Sequence, residues 1–132
     1  ISLSRMLLYR NDMRIALEPL LQNKSYELEV FAYYLESKDT DYLAEIERMA
    51  RNYRTSIENA VEVIVPKDAV RHHIGVLNSL SEFEAILIKM AAYADDPYAT
   101  AALLRTFNDA ELNMFTSFNA LAGYFREYIQ SS

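Results

Sequence analysis

The stretch DYLAEIERMARNYRTSIENAVEVI, residues 41–64, decides the fold class. Within it Tyr42, Ile46, Met49, Tyr53, Ile57, Ala60 and Ile64 recur at spacings of three and four, the repeat of one helix face rather than the alternation of a strand. The opposite face carries Glu47, Arg48, Arg51, Glu58 and Glu62, so the pattern predicts an amphipathic helix over about 41–64. Its N-cap is expected among the turn formers Ser37, Lys38, Asp39, Thr40 and Asp41.

The chain is expected to reverse at Val65-Pro66, with Pro66 in the first turn of a new helix over 66–94 and Asp68 near its positive end. That helix has the stripe His73, Val76, Leu77, Leu80, Phe83, Leu87, Met90 and Ala94. Asp95-Asp96-Pro97 is the sharpest boundary, because Asp96 can cap the next helix while Pro97 takes its first position. From there to about 130, Ala99, Leu103, Thr106, Phe107, Ala110, Met114, Phe118, Leu121, Phe125 and Tyr128 hold a 3–4 pattern. Residues 3–36 read as one helix that Pro19 kinks, or as two helices divided within 18–25. These segments and their short connections predict an all-α, up-and-down antiparallel bundle of about four helices forming a single domain over 1–132.

Composition agrees with that architecture. Two glycines and three prolines are few for a sheet protein of 132 residues, and 52% apolar against 24% charged residues fits a chain that folds in water. No apolar run approaches the roughly 20 residues of a membrane span. With no cysteine there are no disulfides, thiolate metal sites or cysteine nucleophiles. The net charge of −6 offers no basic footprint for nucleic acid. Charge is uneven: residues 1–24 hold four basic and two acidic side chains, whereas the remainder holds nine basic and seventeen acidic.

Two clusters are candidate sites. Asp68 lies four residues before His72, so Asp68, His72 and His73 could supply metal ligands, against a structural reading in which Asp68 faces a helix dipole and a histidine bonds within the core. The Glu-x-x-His pairs of di-iron bundles are missing, since Ala69 and Val70 stand three before the histidines. Arg48, Arg51 and Arg54, spaced by three, could clamp a carboxylate or phosphate, or could pair with neighbouring glutamates on a solvated face. No catalytic motif and no cofactor motif occurs, so neither catalytic residues nor a cofactor is expected. Ten tyrosines, among them Tyr33, Tyr34, Tyr93, Tyr98, Tyr124 and Tyr128, read as core-edge residues or as a contact surface for a homo-oligomer or protein partner. Asn78, Asn108, Asn113 and Asn119 lie within predicted helices, where cross-helix hydrogen bonds would fix register.

The run from Val65 to His73, followed by Leu77-Asn78-Ser79-Leu80 and Asp96-Pro97, resembles uncharacterised bacterial helical-bundle proteins over about residues 39–125. The resemblance implies a helical bundle with an extracytoplasmic or envelope-associated setting, and it assigns no functional residue. The chain beginning at Ile1 suggests processing or trimming, with room for a signal or anchor upstream. The expected function is a non-enzymatic helical interaction or structural module; the alternatives are a small-ligand sensor using the arginine row and a metal-dependent enzyme.

Overall fold

A computed structural model describes residues 2–130, so the expected domain limits, at Ile1 and at Ser131 and Ser132, lie outside the described residues. It is all-helical, with five α-helices packed together: α1 (Leu3–Ala16), α2 (Glu27–Ser37), α3 (Asp41–Val61), α4 (Val70–Ala92) and α5 (Pro97–Gln130). Short 3-10 turns at Glu18–Gln22 and Lys67–Ala69 join α1 to α2 and α3 to α4. No helix among the described residues is long and apolar enough to cross a membrane.

The expected count of about four helices is corrected to five because the first third is split, not kinked. Leu17 closes α1 by donating its N–H to Met13, and Pro19 then sits at the start of the 3-10 turn, where its missing N–H breaks nothing. Tyr26, in extended conformation, begins α2 afresh. Breaking a helix frees backbone carbonyls, and α3 supplies a donor: the Asn59 amide donates to the Ala16 carbonyl at 3.2 Å. Asn23 in turn donates to the Met49 carbonyl at 3.2 Å and accepts from Asn52 at 2.7 Å. Register is therefore held by Asn23, Asn52 and Asn59, not by the expected quartet, of which only Asn113 reaches another helix, toward Glu82 at 3.4 Å.

Further boundaries move, among them the end of α4, at Ala92 rather than Ala94. α3 ends at Val61 rather than Ile64, because the N–H groups of Glu62 and Val63 tighten onto Asn59 and Ala60 and the residue before Pro66 must leave the helical region. Ile64 is consequently 70% exposed instead of in the stripe. α4 begins at Val70, not Pro66, since Lys67–Ala69 wind as a 3-10 turn. The Asp96-Pro97 boundary is as expected: Asp96 Oδ1 accepts from the N–H groups of Tyr98 at 3.0 Å and Ala99 at 3.1 Å.

One apolar cluster draws on all five helices. At its centre the fully buried Phe83 ring of α4 lies 5.2 Å from Tyr53 of α3 and 5.0 Å from Phe107 of α5, in tilted geometries suited to aromatic quadrupoles. Tyr26 meets Phe107 edge-on at 6.1 Å, and Tyr9 lies 5.8 Å from Phe125, which brings the first third onto α5. Burial along α5 is uneven. Phe107, Ala110, Leu121 and Tyr124 are buried, whereas Met114, Phe118 and Phe125 are half-covered and Leu112 and Phe115 are 62% and 55% exposed.

Phe83→Ala is expected to lower unfolding free energy by about 3–5 kcal/mol, because it opens a cavity that three helices cannot close. Ile88→Ala on the exposed side of α4 should change it by under about 1 kcal/mol. Urea titrations of both variants measure the contrast.

Candidate functional site

The half-covered face of α5 becomes a site where α1 lies against it. Between the two helices runs a groove of about 500 Å³, within the span usual for ligand-binding clefts. Leu7 and Met13 line it from α1, Leu17 from just beyond its end, and Phe118, Leu121, Ala122 and Phe125 from α5, so its floor and walls are apolar. Arg10, Asn11 and Arg14 form a polar edge along α1. Arg14 donates to the side-chain amide oxygen of Asn11 at 2.9 Å and stands 3.7 Å from the carboxylate of Glu18, a loose ion pair with both side chains more than half exposed.

What fixes α1 against the other helices is a buried polar chain. Tyr9 Oη lies 2.8 Å from His73 Nδ1, and His73 Nε2 lies 3.1 Å from the Ala60 carbonyl oxygen. A carbonyl only accepts, so Nε2 carries the ring proton and Nδ1 accepts from the tyrosine hydroxyl. Three helices meet in that one neutral imidazole. Burial holds His73 below its ordinary value, opposed by the hydrogen bond to Ala60, and burial raises the Tyr9 hydroxyl far above the usual tyrosine range.

The three residues singled out as metal ligands are therefore divided. His73 has both ring nitrogens engaged in the core. His72 is half-buried with its ring 5.8 Å from that of Tyr124, whose hydroxyl donates to Asp68 at 2.8 Å. Asp68 sits in the 3-10 turn, whose three residues per turn break the helical repeat that placed it beneath His72. Asp68 and His72 do share a small surface cavity with Arg71. Among the described residues no three or more His, Cys, Asp or Glu side chains converge as a metal-binding group.

The arginine row is divided as well. Arg48 turns back onto Glu45 of its own helix through a two-pronged contact that holds the Glu45 carboxyl below its usual range. Arg54 reaches across to α4 and grips the buried Glu84 carboxylate at 2.9 Å through both Nε and Nη2. Arg51 and Arg54 line a second cavity, about 470 Å³, between α3 and α4, together with Glu47, Glu84 and Ile88. Arg48 is outside it.

Tyrosine hydroxyls donate to carboxylates: Tyr26 to Glu111, Tyr33 to Glu29, Tyr34 to Asp95, Tyr53 to Glu27 and Tyr124 to Asp68, at 2.7–3.2 Å. Four of these cross between elements. Tyr34, with Lys38 nearby, holds the Asp95 carboxyl below its usual range, while burial pushes Glu27 upward against its bond from Tyr53. The groove itself was missed in the sequence because Phe118, Leu121 and Phe125 fit a core stripe; the available signal was the pair Arg10 and Arg14, one turn apart on a helix apolar on several sides. No protein-family model, curated protein or solved structure matches the chain.

Since His73 is depressed in the folded protein, the unfolded chain takes up its proton first as pH falls through about 6.5. The stability that the neutral imidazole contributes is thus full above that value and lost as pH falls from it toward the lower folded-state value. Urea midpoints measured between pH 7.5 and 5.5 should fall, and His73→Gln should remove that part of the slope. At pH 7.5, Tyr9→Phe should cost about 1–3 kcal/mol by leaving Nδ1 buried without a donor.

Proposed function

We propose that this chain is a non-enzymatic helical interaction module that takes its partner along the α1/α5 groove. The observation that carries this reading is the groove itself: an apolar channel of about 500 Å³ between two helices, with a polar edge on one side. Apolar concavities with few polar groups are the usual form of binding sites. The module is read as one domain in which the α1–α2 pair, α3, α4 and α5 run up and down. The pairings Tyr9 with Phe125 and Tyr26 with Phe107 support that order, because the first third then runs antiparallel to α5. An envelope-associated setting fits the sequence resemblance.

A second reading, small-ligand sensing, is favoured by the α3/α4 cavity, where the exposed Arg51 stands beside the Arg54–Glu84 pair and could meet a small carboxylate. It uses two of the three arginines of the row. Thermal-shift measurements with small carboxylates and inorganic phosphate check it, with Arg51→Ala as the variant that should abolish any response.

For the principal reading, the uncharged apolar dye Nile red should bind the folded protein saturably. Ala122→Trp, which fills the groove from α5, should weaken that binding at least about fivefold while the urea midpoint stays put. An unchanged dye titration in a folded Ala122→Trp protein would remove the groove from consideration.

A further inference from the structure

We infer that the occupant of the α1/α5 groove is an amphipathic helix of a partner protein that carries acidic side chains one turn apart beside its apolar face. The inference rests on the reading of the groove as a binding surface and adds the chemistry of what fills it. Charge comes first. The chain is acidic overall, yet the groove's polar edge is built from Arg10 and Arg14, within residues 1–24, where four basic side chains stand against two acidic ones. Spaced by four on α1, these guanidiniums stand about one helical turn apart, at roughly 6 Å between Cβ atoms, the same interval as carboxylates at positions i and i+4 of a facing helix.

The extent of the apolar surface points the same way. On α1, Leu8 stands one turn before the groove residue Asn11 and is 52% exposed. On α5, Phe115 lies two turns before Ala122 on the same face and is 55% exposed. The apolar surface therefore continues along both helices past the groove. A single charged head on one acyl tail would leave that surface in water, whereas a helix lying lengthwise covers it with residues at i, i+3, i+4 and i+7 while its acids meet the arginine edge.

The chain contains no tryptophan, so Phe118→Trp places a lone indole in the groove wall as reporter. Two synthetic helices of the length of α1 serve as probes, both with leucines at spacings of three and four; one is flanked by glutamates and the other by lysines. The glutamate helix should shift the indole emission to the blue saturably, at least about tenfold more tightly than the lysine helix at low salt, with the preference fading as salt screens the arginines. Arg10→Glu with Arg14→Glu should invert the preference. Equal affinity for both helices, or no preference change in the folded double variant, overturns the inference. An emission shift that depends on protein concentration without any peptide gives the groove to a second copy, and tighter binding by dodecanoate gives it to an anionic amphiphile; each of these overturns the helix while keeping the groove as a binding surface. Silence toward the peptides, dodecanoate and Nile red alike removes both.

Discussion

The hydrogen-bond chain from the Tyr9 hydroxyl through the His73 imidazole to the Ala60 carbonyl is the constraint on which the rest of the arrangement depends. Among the described residues it is the buried polar junction shared by α1, α3 and α4, and both ring nitrogens and the tyrosine hydroxyl are bonded within it. An unpaired group at that depth costs more than a paired one contributes, so the junction specifies position more than it adds stability. With α1 held there by its Tyr9 face, Phe125 closes the far side of the contact and the remaining faces of α1 are left to define the groove.

Carboxylates are the recurring liability of this chain, and tyrosine is the recurring remedy. An excess of acidic groups repels itself in a compact state. Several carboxylates here receive a neutral phenolic donor: Glu27 in the core from Tyr53, Asp95 at a helix end from Tyr34, Asp68 in the α3–α4 connection from Tyr124. A phenol brings a large apolar ring with its donor, so one side chain fills the inter-helix space and satisfies an oxygen. Other carboxylates take a cation: two guanidinium nitrogens of Arg54 hold Glu84 at the α3/α4 boundary, Arg48 holds Glu45 within α3, and Arg14 stands beside Glu18. The phenolic bonds from Tyr53, Tyr34 and Tyr124 join elements distant in sequence and account for part of the tyrosine content, while Tyr26, Tyr33, Tyr93 and Tyr98 keep exposed rings.

How far the sequence could be read depended on whether a signal was local. The Asp96-Pro97 joint was legible because a cap and a first-turn proline act within four residues. The stripe of α4 was legible for the same reason, and His73, Val76, Leu80, Phe83, Leu87 and Met90 are all buried as the spacing demands. The α3 limit at Ile64 and the α4 start at Pro66 were misplaced because helix ends readily tighten into 3-10 turns, a local change of closure that an apolar stripe does not record. Pro19 was recognised as a break, but whether the chain bends or starts again depended on Asn23, Asn52 and Asn59, whose bonds link positions 26–43 residues apart.

The sequence by itself determined that this protein is all-helical, where most of its helices lie and which faces are apolar, since those properties follow from periodicities of a few residues. Only the tertiary structure decided which apolar residues find a partner. Phe107 and Phe118 share one stripe of α5, yet Phe107 is sealed against Phe83 while Phe118 opens onto the α1 groove. Likewise the three arginines and the Asp68, His72 and His73 cluster share spacings but not surroundings. Hydrophobic burial is non-directional and depends on what a neighbouring helix happens to cover, and that is fixed by the long-range junction at His73 rather than by any pattern along the chain.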